Sequence, residues 1–289
     1  MVTLEQKIEE ACSGVNKAWQ AADSSFEKKP QIVIITGSGL GSIAKQLSPG
    51  FFEMDYDDIP YLHPSGMPGH VGRVLIGHYG GDNCNKVIVL DGRIHGYEGH
   101  SPQTQVMPLL MAHRLCDNSS SPLVVVTNAS GAINEQFSEG QIMLITDHIN
   151  GTGRSVVELR EETRFGGDNL DMTFAYTPAL QDVAKQVALA NNIDLAEGIY
   201  LGTVGAMFET PAEIRAFRAW GADAVGMSTV HEVTCASRLG MQVLGLSVLC
   251  NMAAGIEKKA LTLKEVLEGS SKASKNLEIL ISGILESLS

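Results

Sequence analysis

Five cysteines among 289 residues, with no C-x-x-C pair and no Cys/His metal spacing, identify Cys12, Cys84, Cys116, Cys235 and Cys250 as reduced thiols and exclude a disulfide framework. Basic residues are scarce too. A net charge of −12 argues against a nucleic-acid or anionic-membrane partner, since both need a basic face. No run approaches the roughly 18 consecutive apolar residues of a membrane span. The opening Met-Val-Thr-Leu-Glu-Gln-Lys-Ile-Glu-Glu carries acids where a signal peptide is apolar. Low complexity, fixed-period repeats and Pro/Gly/Ser linkers are also missing, so the expectation is a single cytoplasmic domain, 1–289.

What is present is an alternation of strands and helices. Leu4, Ile8, Cys12, Val15 and Trp19 recur at helical spacing, and Ile32 to Ile35 form a β-branched strand ending at Thr36-Gly37. Apolar runs follow at 74–76, 87–90, 123–126, 142–145, 199–204 and 243–249, as in strands covered on both faces. Thr210-Pro211-Ala212-Glu213, Thr229-Val230-His231-Glu232 and Thr262-Leu263-Lys264-Glu265 all fit the capping box of a helix start. The pattern predicts an α/β fold with a central mixed sheet flanked by helices.

Polar constellations sit at the strand ends, where open α/β sheets bind ligands. After Val87 to Leu90, Arg93, His95 and Tyr97 alternate with Ile94 and Gly96; on an extended segment they emerge on one side, a cation, an imidazole and a phenol suited to an anion and a sugar. A solvated polar loop is the alternative. Gly37-Ser38-Gly39-Leu40-Gly41 offers main-chain N–H groups and a hydroxyl as an anion cradle, without the Lys of a Walker A motif or the dinucleotide G-x-G-x-x-G spacing. Gly69-His70-Val71-Gly72 reads either as a turn with a surface His or as a further donor. Thr127-Asn128-Ala129-Ser130-Gly131 is small enough to admit a planar ligand or phosphate against the backbone, and equally suits a tight turn. Phe208-Glu209-Thr210 places an acid before a capped helix, Gly226-Met227-Ser228-Thr229 a hydroxyl at a helix start, and Asn251 an amide that donates and accepts.

In this order the motifs resemble those of the trimeric purine nucleoside phosphorylases, from about residue 30 to about residue 287. The resemblance implies an α/β phosphorylase fold, a homotrimer, and conversion of purine nucleoside and inorganic phosphate to free purine and ribose 1-phosphate, with no metal or organic cofactor. It assigns Ser38, His70, Arg93, His95, the Ala129 main chain and Ser228 to phosphate. Tyr97 and Met227 fall to the ribose, with Phe165 as the aromatic from a neighbouring subunit. Tyr200, Phe208, Glu209 and Asn251 fall to the base, and Asn251, Glu209 and His95 carry the catalysis. Departures are Leu263 where the family usually has a His touching the ribose 5′-hydroxyl, His231 at a usual Pro, and Cys250 at a usual Thr next to the base.

Three other readings compete. A nicotinamide-linked dehydrogenase lacks the glycine spacing and acid, a metal-dependent nucleoside hydrolase lacks a clustered Asp motif, and a silent nucleoside-binding module is excluded only by turnover. On the phosphorylase reading Asn251 suits a 6-oxo purine, hypoxanthine, guanine or xanthine, whereas the related methylthioadenosine phosphorylases place an Asp there for a 6-amino group. Asn251→Asp is therefore expected to raise adenosine turnover relative to inosine, and an unchanged ratio of the two kcat/KM values would show that Asn251 does not read position 6.

Overall fold

The protein is described by a computed structural model covering residues 2–22, 29–67, 69–80, 85–117, 119–157 and 169–288. A nine-stranded mixed sheet runs β2-β3-β4-β1-β5-β8-β7-β6-β9. Its strands are β1 (Ile32–Ile35), β2 (Phe52–Asp55), β3 (Arg73–His78), β4 (Lys86–Asp91), β5 (Leu123–Ala132), β6 (Ile142–Asn150), β7 (Leu195–Gly202), β8 (Ala224–Gly226) and β9 (Gln242–Met252). The helices are α1 (Leu4–Ala22), α2 (Pro102–Gln105), α3 (Met107–Leu115), α4 (Pro178–Ala190), α5 (Pro211–Ala219), α6 (Val230–Arg238) and α7 (Leu263–Ser287). The expected mixed α/β architecture is the one observed.

The continuous apolar runs are explained by period-two alternation between two cores. Val33 and Ile35 of β1 join Val124 and Val126 of β5 in a core with α1, α3 and α6, while Ile32, Ile34, Leu123 and Val125 face the opposite core with α4 and α7. Neither face of these strands meets water. β1 pairs in parallel with both β4 and β5.

β5 outruns β1 by its last six residues, and this extension reshapes the sheet. It pairs with β9 in parallel along its whole length and reaches β8 at Gly131 and Ala132, so β5, β8, β7, β6 and β9 close into a ring. The register between β5 and β9 shifts at Ser130/Gly131, where Ser130 faces Leu249 but Gly131 faces Asn251, leaving Cys250 as the extra residue of a bulge. The sequence runs at 123–126 and 142–145 mark only the apolar halves of β5 and β6. Their distal halves are polar because they enter the ring's rim.

The helix starts divide. Thr210 and Thr262 cap α5 and α7 with reciprocal Glu213 and Glu265 hydrogen bonds as the capping-box pattern requires. Thr229 does not cap α6: its backbone adopts φ 73°, ψ −52°, and its side chain makes no capping bond. Val230 N–H donates to Ser228 C=O at 2.8 Å, so Thr229 is the centre of a γ-turn of positive φ, a strained geometry for a β-branched residue. Tyr97 departs from the expected extended alternation as well, because Gly96–Glu98 forms a single 3₁₀ turn. The free thiols of Cys12, Cys116, Cys235 and Cys250 are buried, and burial pushes Cys12 and Cys116 up to about 12.

Helix α7 lies directly on β9. A Cβ on Gly269 would stand 2.3 Å from the Cys250 carbonyl oxygen and 2.7 Å from its Cα, both backbone atoms. Gly269→Ala is expected to push the helix outward and cost about 1–3 kcal/mol, despite the higher helix propensity of alanine. Chemical denaturation checks it; a stabilised variant would mean that the two elements slide freely.

Candidate functional site

One cavity of about 190 Å³ opens at these strand ends. Its polar wall combines Ser38 from the loop after β1, His70 from the loop before β3, Arg93 and His95 from the segment after β4, Ala129 of β5 and Ser228 after β8. Tyr97, Met227, Phe208, Glu209 and Asn251 line the same cavity. These sequence-nominated residues, drawn from distant parts of the chain, thus share one space. Phe165 lies outside the described residues.

Tyr200 is a correction. Its side chain is fully buried and does not line the cavity; it packs beneath Gly226, whose absent Cβ would stand 2.5 Å from the Tyr200 hydroxyl, and Ser228 N–H donates to that hydroxyl at 3.3 Å. Tyr200 therefore supports the turn that carries Ser228. Cys250 also points away, into the core against α7, with its Sγ 3.2 Å from Ser270 Oγ.

Arg93 is 4% exposed, and its charge is met from behind. Nε and Nη2 donate to the two carboxylate oxygens of Glu232 at 2.8 and 3.0 Å, and Nη1 donates to the Thr36 carbonyl at 2.9 Å. A guanidinium has five N–H donors, so one on each terminal nitrogen is left for the cavity. Glu232 was not nominated from sequence. Its place three residues after Thr229 resembles a capping box, yet its carboxylate turns to Arg93.

The two imidazoles are neutral. Burial, then the Arg93 charge, pushes His70 down to about 4; burial, then His70 and Arg93, pushes His95 down to about 2. His70 Nε2 lies 2.8 Å from Ser38 Oγ, and the rings of His70 and His95 meet edge-on at 4.7 Å. His95 in turn stacks on Tyr97 with centroids 4.6 Å apart. The Nδ1 atoms of both histidines are buried without a hydrogen-bond partner in the protein, that of His95 lying 3.8 Å from the Glu98 carboxylate. Arg93 with Glu232 and two neutral histidines make an anion site rich in hydrogen-bond donors and nearly free of net charge.

At the other end, burial raises the Glu209 carboxyl above its ordinary value, opposed by the Thr203 hydroxyl, which donates to it at 3.3 Å. Asn251 is 2% exposed. Met67, Leu261, Leu263 and Val266 make a third wall with no charged side chain. Among the described residues no group of three or more His, Cys, Asp or Glu is placed to hold a metal ion, and no helix is long and apolar enough to cross a membrane.

A cradle of donors suited to an anion, an amide and a carboxylate thus share one cavity. Residues 31–286 match the family model described as the phosphorylase superfamily. Purine nucleoside phosphorylase 1 of Geobacillus stearothermophilus is 37% identical over 96% of this chain and 98% of its own, and the Bacillus subtilis protein of the same name is 36% identical over 98% of each. A Schistosoma purine nucleoside phosphorylase solved with hypoxanthine superposes with a TM-score of 0.86 at 28% identity, covering 100% of both chains. The chain belongs to the phosphorylase superfamily and, within it, to the purine nucleoside phosphorylases.

Glu232→Ala would leave the Arg93 guanidinium buried without its counter-charge, and a loss of about 3–5 kcal/mol of stability is expected. Glu232→Gln keeps one acceptor and should lose less. Equilibrium unfolding of both variants checks this; equal stability of Glu232→Ala and the unsubstituted protein would mean that water reaches the pair.

Proposed function

We propose that the protein cleaves purine nucleosides with inorganic phosphate, giving the free purine and ribose 1-phosphate in purine salvage. The observation that carries this reading is that Ser38, His70, Arg93, His95 and Ser228 share one cavity with Glu209 and Asn251. Inosine, guanosine, their deoxy forms and xanthosine are the substrates, phosphate is the co-substrate, and no organic cofactor takes part.

The chemistry follows from where charge develops. As the bond to N9 breaks, the sugar becomes cationic and the purine anionic, and the rate depends on stabilising both at once. The free N–H groups of Arg93, the Ser38 and Ser228 hydroxyls and the histidine ring N–H groups hold phosphate under the anomeric carbon, as nucleophile and as counter-charge to the sugar. Fixing it there supplies the proximity contribution. Asn251 donates to the departing purine at N7 or O6, and Glu209 in its ionised form accepts from N1–H. Tyr97 and Met227 pack on the ribose, and Phe208, half open to solvent, covers the base. Because burial raises Glu209, the ionised fraction falls at a higher pH than for an ordinary carboxylate.

A homotrimer and a cytoplasmic setting belong to the same proposal. Phe174 at 75% exposure and Trp220 at 62% are large apolar side chains that a subunit contact would cover.

Ultraviolet absorbance of inosine with and without phosphate is the test. Release of base that requires phosphate is expected; release without it means hydrolysis, and none at all means a binding protein. Run in parallel, 5′-deoxyinosine should be discriminated against only weakly, since Leu263 offers the cavity no hydrogen bond. A large preference for inosine would show that another side chain reads the 5′-hydroxyl.

A further inference from the structure

Ser228 is the end of a chain of polar side chains whose other members the reaction as described does not use. Ser130 Oγ is 2.6 Å from Ser247 Oγ, Ser247 Oγ donates to Asn128 Oδ1 at 2.6 Å, Asn128 Nδ2 donates to Thr229 Oγ1 at 2.8 Å, and Thr229 Oγ1 is 3.1 Å from Ser228 Oγ. Ser130, Ser247, Asn128 and Thr229 are each at most 5% exposed; both terminal hydroxyls and Asn128 line the cavity, whereas Ser247 and Thr229 lie behind it.

The carboxamide in the middle sets a direction. Its oxygen only accepts and its nitrogen only donates, and the shorter contact to Ser247 suits O–H···O while the longer one to Thr229 suits N–H···O. The single Ser247 proton is committed to Asn128, so Ser130 must donate to Ser247. Thr229 accepts from Asn128 and is buried, so its own proton goes to the neighbouring oxygen, Ser228 Oγ. Ser228 is then left with its own proton and two acceptors for it, the cavity and the Tyr200 hydroxyl, and the latter already takes the Ser228 N–H. The same Asn128 bond ties down the strained turn at Thr229.

We propose that Asn128 and Ser247 are positioning residues for the anion: through Thr229 they fix the Ser228 hydroxyl as a hydrogen-bond donor into the cavity. The phosphate dianion presents three unprotonated oxygens where the monoanion presents two, so a committed donor favours the dianion. With little net charge in the pocket, a committed donor counts for more than it would beside an unpaired cation. The proposal rests on the phosphorolysis reading in taking the anion to be phosphate.

Steady-state kinetics with inosine and phosphate varied independently tests it. Ser247→Ala removes the proton that holds the carboxamide, which can then turn and accept from Thr229, drawing the Ser228 proton back into the chain. The phosphate KM should rise about tenfold while the inosine KM stays within about twofold. Ser247→Thr keeps the hydroxyl and should restore the phosphate KM. In a Ser228→Ala background, Ser247→Ala should add less than about twofold. Equal rises in both KM values, or the same tenfold effect without the Ser228 hydroxyl, would overturn the proposal. If Ser247→Ala does not fold, Thr229→Val cuts the chain at its last link and is read by the same split. Calorimetric titration of the unsubstituted protein with inorganic phosphate separates the two readings. Binding without inosine cleavage would defeat phosphorolysis, and the phosphate Kd of the same variants would then decide the chain.

Discussion

A guanidinium taken out of water has to be met by a carboxylate, and the paired burial of Arg93 and Glu232 organises the rest of the molecule. Arg93 follows β4, Glu232 belongs to the first turn of α6, and the third bond goes to the carbonyl of Thr36 at the end of β1. One side chain therefore ties two adjacent strand ends to the first turn of α6. The residues next to these anchors are the ones that face the cavity: Ser38 beyond Thr36, His95 beyond Arg93, Ser228 before α6. Breaking the pair would strand a buried charge where three loops meet, which is why its cost exceeds that of an exposed ion pair.

The same pair sets the character of the anion site. Glu232 cancels most of the Arg93 charge, and burial holds His70 and His95 neutral, so an oxyanion meets oriented N–H and O–H groups more than a positive field. For a chain of net charge −12 this is a consistent solution, since local oriented donors stand in for a positive field that the molecule as a whole does not have. Orientation then replaces charge, and the buried hydroxyls behind Ser228 become part of the site.

Much of this was legible in the sequence because period and composition report burial. The β-branched runs of β1 and β4 are apolar at every position since both faces are covered, and Gly and Ser cluster where those strands end. What could not be read is which of two local partners a side chain chooses. Thr229 and Glu232 stand at capping-box spacing, as Thr262 and Glu265 do, yet only the latter pair caps. Arg93, 139 residues before Glu232, outcompetes the local N–H, and no pattern confined to the α6 region records that. Tyr200 was assigned to the base by resemblance alone, and a motif match does not record that a glycine on β8 leaves room for its ring underneath. The strand β2 escaped notice because Phe52–Asp55 alternates over only four residues on an edge.

The reaction proposed here needs two charges stabilised a sugar's width apart, and β5 supplies the spacing. Its Asn128 donates to Thr229, next to Ser228, at the anion end, while Gly131 lies against Asn251 at the leaving-group end. A strand advances about 3.3 Å per residue, so the three steps between these positions span roughly 10 Å, comparable to a nucleoside laid along them. The bulge completes the arrangement. By leaving Cys250 unpaired it bends the end of β9, and the sulfur turns into the core against α7 while the next residue, Asn251, faces the cavity. Closing the ring of strands and aiming the amide are one structural event.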